Sequence, residues 1–395
     1  MKFGPALLAS ALAACLLPAS GCSPLADGTI SLTDRTTVPF TLHGNHIYIR
    51  ASIGGISYAF AFDTGGTESL TPELSERLHL TPVGQVEARG VGEDATRVDI
   101  VRVPRIELGS ASLVGASFLV LPRLPLESPF RGAIFGGILG REFFRSLVVT
   151  IDYQNSKLTL TQPASFKADS ASAHVPVSLR ASGIPNIPAS IDGHSGNFDV
   201  DAGSSQAVTV TQTFANGLGL ASGLRAEIGR GVGGAMYGTV TRAQSLNIGG
   251  LTLHRPIVLV ADSRGGVFSN EDFSGNLGSD VLRHFTVTLD VPGHTLYLDP
   301  NTNFARAFVF NRAGLTVIRS SAGWRVASVI DNSPAAKAGV LSGDVVLSLN
   351  GRDAKTLDMA AFRDMWYDKV GKRVSLTLTR NGHTFTKVFS LRELV

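Results

Sequence analysis

The chain has 395 residues, of which 44% are hydrophobic and 17% charged, with a formal net charge of +3. That length allows two or three domains with buried cores, and the small charge without a dense Lys/Arg run excludes an electrostatically driven nucleic-acid binder. The nine His are scattered without metal-ligand spacing, so no metal or cofactor is expected, and 43 Gly point to many turns and to β-structure.

Residues 1–22 read as an export signal rather than as fold. Met1-Lys2 is followed by an apolar run through Leu17 and by Ala19-Ser20-Gly21-Cys22. A basic start, a short apolar stretch and small residues before a cut make a secretory signal. The run is shorter than the roughly 20 residues a spanning helix needs. Small residues ending in Cys resemble a bacterial lipobox. The resemblance implies cleavage before Cys22, lipidation of its thiol, and an exported lipoprotein anchored to a membrane and facing the periplasm or cell surface. Leu12-Ala13-Ala14-Cys15 fits the same pattern but leaves a very short signal, and ordinary signal cleavage is the plain alternative. Ser23 is not acidic, which points to the outer membrane if the organism is a diderm. Both Cys lie in this segment, so the rest of the chain has no thiol and no disulfide.

An internal repeat organises the middle of the chain. The run Ile53-Gly54-Gly55-Ile56-Ser57-Tyr58-Ala59-Phe60-Ala61-Phe62-Asp63-Thr64-Gly65 lines up with 191–203 at a spacing of 138, as Asp63 to Asp201 shows. The same spacing relates Gly137-Ile138-Leu139-Gly140 to Gly275-Asn276-Leu277-Gly278 and 147–152 to 285–290. Between these blocks the register drifts by a few residues, as loops do. Two lobes are therefore expected, at 23–165 and 170–302, joined by a Ser/Ala-rich connector at 163–173, with a third unit at 308–395.

Each copy reads as mainly β. Strands are expected at 47–53, 58–62, 97–103, 117–121 and 147–151, where β-branched and apolar runs are bounded by Gly, Pro, Asn and Asp. A short helix is expected at 72–80, with Thr71 as N-cap and Pro72 at its first position. A second is expected at 142–146, after Gly140.

Each copy also ends an apolar strand in an Asp followed within two residues by Gly: Asp63-Thr64-Gly65-Gly66 and Asp201-Ala202-Gly203-Ser204. Glycine there permits a sharp turn and a close approach by another backbone. If the copies pack about a pseudo-two-fold axis, the two loops meet. Two carboxyls in one small space hold one proton between them, because both cannot ionise cheaply. The ionised member then takes a proton from water, and the protonated one donates to a carbonyl oxygen. The pair titrates as a unit, so neither Asp is assigned a fixed role. A lone Asp before Gly is ordinarily just a turn; the in-register duplication favours the paired site. Asp152 and Asp290 also repeat, but each ends a strand before a turn and reads as structural. Glu68 and Glu142 are left unassigned.

With Phe62-Asp63-Thr64-Gly65 and the later Ile138-Leu139-Gly140, the segment 35–300 resembles the retropepsin and pepsin family of aspartic proteases. The resemblance implies two β-barrel lobes in pseudo-two-fold arrangement, catalytic Asp63 and Asp201, and an extended peptide or unfolded-protein substrate. It also implies flaps with Gly90 and Gly92 in one copy and Gly231 and Gly233 in the other. Two departures stand out. Ala202 replaces the Thr whose hydroxyl bonds across the pair, so Thr64 has no counterpart, and Gly66 stands where Ala or Ser is usual. The alternative is an inactive peptide-binding scaffold.

In the third unit, Ser333 caps a short helix with Pro334 at its first position and Gly339 at its end. Asn350-Gly351 and Asn381-Gly382 mark hairpins, and 357–367 is an amphipathic helix. The run from Asn332 to Gly351 resembles bacterial PDZ domains, which are α+β. The resemblance implies that Gly314-Leu315-Thr316-Val317 offers backbone N–H groups to a peptide's C-terminal carboxylate, with the peptide added as a strand beside it. The domain would recruit substrate C-termini or regulate access to the cleft; the alternative is a groove filled by the protein's own chain.

Overall fold

A computed structural model describes residues 15–16, 27–122, 126–168, 170–220, 222–262, 265–270, 272–321 and 323–395. Cys22 and nearly all of the expected signal lie outside the described residues.

The two copies meet in a shared six-stranded antiparallel sheet. Its order is Ala173–Pro176, Thr295–Pro300, Phe285–Asp290, Val148–Asp152, Lys157–Thr161 and Arg35–Pro39, three strands from each copy. At its centre Thr150 pairs with Thr288, and their hydroxyls lie 2.9 Å apart. These two residues are also 138 apart in sequence, so the pseudo-two-fold axis passes between them.

Each lobe then builds its own larger sheet on the same plan. In copy one, Ile56–Phe62 pairs antiparallel with His46–Ile53 and parallel with Phe135–Leu139. In copy two, His194–Asp201 pairs antiparallel with Pro185–Ile191 and parallel with Gly275–Gly278. The apolar runs are buried on both faces, as the continuous pattern in 58–62 requires. This pairing delivers each Asp to a strand end beside the matching Gly block. Gly140 has no room for a side chain, since a Cβ there would fall 1.7 Å from the Asp63 carbonyl oxygen.

Local signals held where they were strongest. Thr71 is the N-cap of the expected helix, its side chain accepting from Leu74 N at 3.3 Å, but the helix spans Pro72–Arg77 rather than 72–80, since His79 has φ +52. Helix Arg141–Ser146 follows Gly140. The strand expected at 97–103 runs further, as Thr96–Leu108, because Asp99–Leu108 pairs with Ala111–Val120 while its start pairs with Pro82–Arg89. Asp152 and Asp290 act as turn acceptors for Asn155 N and Gly293 N, at 2.9 and 2.7 Å.

The third unit has its own core, built around Trp324, Phe362, Trp366 and Leu376. Ser333 caps helix Pro334–Lys337, and Asn350-Gly351 and Asn381-Gly382 turn their hairpins with positive φ at all four residues. This unit packs on the lobes. Arg319 pairs with Glu127 at 2.8 Å, and Arg242 of copy two donates to Phe308 O at 3.3 Å and to Val395 O at 3.2 Å.

Candidate active site

Asp63 and Asp201 are brought together where the lobes meet, both nearly solvent-free. The glycines of the two loops make this possible. A Cβ on Gly203 would fall 2.1 Å from Asp63 Oδ2, and one on Gly65 would fall 3.0 Å from Asp201 Oδ1. Each glycine therefore lies against the opposite carboxyl; a side chain at Gly203 would push the two loops apart, and one at Gly65 would crowd Asp201.

Within each loop the backbone points its N–H groups at its own carboxyl. Gly65 N donates to Asp63 Oδ1 at 2.8 Å. Gly203 N and Ser204 N donate to Asp201 Oδ1 at 3.0 and 2.9 Å. Thr64 ties the loops together: its hydroxyl donates to Val200 O at 2.6 Å and accepts from Ala202 N at 2.7 Å. Ala202 forfeits the mirror pair of bonds, but the bridge from copy one is complete. Ser279 donates to Ala202 O at 2.9 Å and braces the second loop from below. Gly66 leaves space that Asp63 Oδ2 and Ile138 occupy, 2.7 and 3.1 Å from where a Cβ would sit.

Burial pushes both carboxyls above the usual carboxylate range, and for Asp201 the neighbouring Asp63 charge adds to the rise. Asp63 Oδ2 has no hydrogen-bond partner among the described residues, whereas Asp201 Oδ2 accepts from Asn276 Nδ2 at 2.6 Å. Behind the first loop lies a second buried acid. Glu68 Oε1 accepts from Glu142 N at 2.8 Å and Gly140 N at 3.3 Å, and burial followed by the Glu142 charge lifts its pKa to about 7.

Gly90, Gly92, Gly231 and Gly233, expected in flaps, lie at or beside two hairpin tips, and the two tips touch. Gly92 N donates to Val232 O at 3.0 Å, and Asp94 N donates to Gly233 O at 3.2 Å. Gly90 lies against Val232, and Gly231 closes its hairpin opposite Gly234. Val91 and Val232 are buried, Val232 in one apolar cluster with Tyr48, Ala61 and Ile100 of copy one. A small pocket remains on the copy-two side, lined by Gly65, Asp201, Asn276, Arg180, Phe268 and Phe273 among others. Arg180 is held there by Asp199 at 2.7 Å and stacks over the Phe273 ring at 3.9 Å.

In the third unit Gly314 has φ +69, and its N–H is held by Asn311 Oδ1 at 2.9 Å. Leu315 and Val317 point into that unit's core. Thr316 and Val317 form one side of a groove whose other side is Met359, Arg363 and Trp366 of helix Met359–Trp366. The groove does not open freely to solvent: Glu227, Ile228 and Gly229 of copy two form a further wall.

Neither Asn276 nor Arg180 was singled out from the sequence. Asn276 left one faint signal, a polar side chain in the apolar-apolar-Gly block where copy one has Ile138. Arg180 left none, because its role depends on where the chain folds back.

A duplicated β fold with two buried Asp loops facing across a pseudo-two-fold axis defines the aspartic-protease class of architecture. The aspartyl protease family matches residues 49–143 and again 187–281, and the PDZ domain family matches 312–387. The chain thus carries two aspartyl-protease segments followed by a PDZ domain. Among solved structures it is similar to the crystal structure of aspartic proteinase from Irpex lacteus, at 16% identity with a TM-score of 0.44, covering 69% of this chain and 99% of that one. A search of curated proteins found no match.

Proposed function

We propose that this protein is an aspartic endopeptidase whose Asp63/Asp201 pair activates a water against a peptide carbonyl. The observation that carries the reading is the pair itself: two buried carboxyls held face to face by reciprocal glycines and by the Thr64 bridge. One carboxylate takes a proton from water as its oxygen attacks the carbonyl carbon. The other carboxyl gives its proton to the carbonyl oxygen. When the tetrahedral adduct collapses, the C–N bond breaks, the amine nitrogen leaves with the proton taken from water, and the adduct hydroxyl returns a proton to the other carboxyl. No covalent enzyme intermediate forms.

The substrate would be an extended peptide or unfolded chain entering beneath the flaps, which must part first because their tips are in contact. The PDZ groove would take peptide C-termini or regulate access. Its wall of Glu227, Ile228 and Gly229 belongs to the strand that leads to the second flap tip, which favours a regulatory link. Lipidation at Cys22 would hold the enzyme at a membrane on the exported side.

The experiment is peptide cleavage by the purified chain from acidic to neutral pH, with Asp63→Asn and Asp201→Asn in parallel and mass spectrometry of the products. Each variant should lose about 10²–10⁴-fold in rate. Cleavage that survives both substitutions would remove the pair from the chemistry.

A further inference from the structure

Where copy one meets the PDZ unit, a cavity of about 110 Å³ remains open. Its apolar walls come from both sides: Tyr48, Leu126 and Pro129 from copy one, and Trp324 and Met359 from the PDZ unit. Copy two contributes Ser205, four residues after Asp201. Asn45 of copy one holds Ser205 in place, its Nδ2 donating to the Ser205 carbonyl oxygen at 3.1 Å. Tyr48 and Leu126 also belong to one apolar cluster with Ile138 and the flap residue Val232. Ile138 in turn lies against the Asp63 loop, 3.1 Å from where a Gly66 Cβ would sit. The apolar wall that starts beside the Asp pair therefore runs on into this cavity.

Most of the charges around the cavity are already engaged. Arg319 pairs with Glu127 at 2.8 Å and stacks over the Trp324 ring at 4.6 Å. Asp358 caps helix Met359–Trp366, its carboxylate accepting from Ala361 N at 2.9 Å. His43 and His46 carry no negative charge. Arg363 is different: it stacks over the Tyr367 ring at 4.4 Å but has no ion pair among the described residues. An apolar cavity with one uncommitted guanidinium at its wall suits a large apolar side chain with a carboxylate beside it. Met359 and Arg363 line the PDZ groove as well, so one helix faces both hollows.

We propose that this cavity is a substrate subsite built jointly by copy one and the PDZ unit, and that it takes a large apolar side chain, next to an acidic residue, of a peptide lying across the Asp pair. The PDZ unit then sets part of the sequence preference of the cleft, apart from anything its own groove binds. The occupant is the peptide of the proteolytic reading above, on which this inference rests, but its binding is measurable without turnover.

The test is binding of fluorescent peptides to the full chain carrying Asp63→Asn, read by anisotropy, beside cleavage of the same peptides by the chain with its native pair. The peptides carry Phe-Asp at one position after another, with Ala-Asp and Phe-Asn as partners at each. At one position Phe should bind about 10-fold or more tighter than Ala, and Asp several-fold tighter than Asn. Ser128→Trp, from copy one, and Met359→Trp, from the PDZ unit, fill the cavity and should each erase the Phe preference. Arg363→Gln should erase the Asp preference and spare the other. Gly314→Ala, which disturbs the carboxylate loop, should leave both. The proposal is overturned if the Phe preference survives both tryptophan variants in folded chains, if the Asp preference survives Arg363→Gln, or if all peptides bind alike. A Phe preference lost in Gly314→Ala would place the side chain in the PDZ groove and overturn it equally. Position-specific binding by a native-pair chain that cleaves none of the peptides would sink the proteolytic reading and leave the subsite standing.

Discussion

Thr64 and Ala202, 138 residues apart and at matching positions of the two copies, are joined by a 2.7 Å hydrogen bond from the Ala202 N–H to the Thr64 hydroxyl. The same hydroxyl donates to Val200 O at 2.6 Å. One threonine therefore performs the cross-lobe bonding that a symmetric pair would share. Thr64→Val removes both bonds and strands a buried N–H and a buried carbonyl. It should destabilise the fold by about 2–4 kcal/mol, while Thr64→Ser should recover most of that loss. Thermal unfolding of the two variants checks this; equal melting temperatures would show that the bridge contributes nothing.

The loop glycines are unequal in the same sense. A Cβ on Gly203 meets the Asp63 carboxyl at 2.1–2.2 Å, whereas one on Gly65 meets Asp201 at 3.0–3.1 Å. Gly203→Ala should displace Asp63 and cost about 10²-fold in cleavage rate, with Gly65→Ala much less affected. Rate constants on one peptide substrate, measured for both variants, decide it.

Glu68 makes stability depend on pH. Its carboxyl titrates near 7 in the folded chain, against 4.5 for the ordinary group, because it is buried beside Glu142. Between those values the folded state binds more protons than the unfolded one, so its contribution falls as pH rises and is fully lost above about 7. Glu68→Gln keeps the acceptor for Gly140 N and Glu142 N and removes the charge; copy two already has Gln206 at the matching position. The variant should match wild type near pH 4 and exceed it by about 1–3 kcal/mol at pH 8. Denaturant titrations at the two pH values give the comparison, and parallel curves would refute it.

A substitution at Gly314 tests the PDZ carboxylate loop without touching the Asp pair. Its φ of +69 and the 2.2 Å approach of Ser333 Cβ to any added Cβ make Gly314→Ala a local distortion of the carboxylate loop. The variant should lose binding of C-terminal peptides, read by fluorescence anisotropy, while short peptides are still cleaved at the Asp pair. Loss of both together would mean that the groove and the cleft act as one unit.

Much of this molecule was legible along the chain, and for definite reasons. The 138-residue repeat marked the two lobes because equivalent strands need equivalent apolar runs. Thr71-Pro72, Ser333-Pro334, Asn350-Gly351 and Asn381-Gly382 announced their caps and turns because that chemistry is confined to a few neighbouring residues. The Asp loops were found because a turn that carries a carboxyl needs glycine close behind it. Strand ends were less legible: 97–103 became Thr96–Leu108 because the partner strands, not the residues themselves, set its length.

What the sequence determined by itself was therefore the plan: duplicated β lobes, two Asp loops in register, and a PDZ domain after them. Only the tertiary structure decided which groups face each carboxyl. The Thr64 bridge, the Asn276 donor, the buried Glu68 and the wall that copy two raises along the PDZ groove all join residues far apart in the chain. Local pattern fixes where a strand or turn lies, but hydrogen bonding and desolvation depend on through-space neighbours, and those exist only once the sheets have paired.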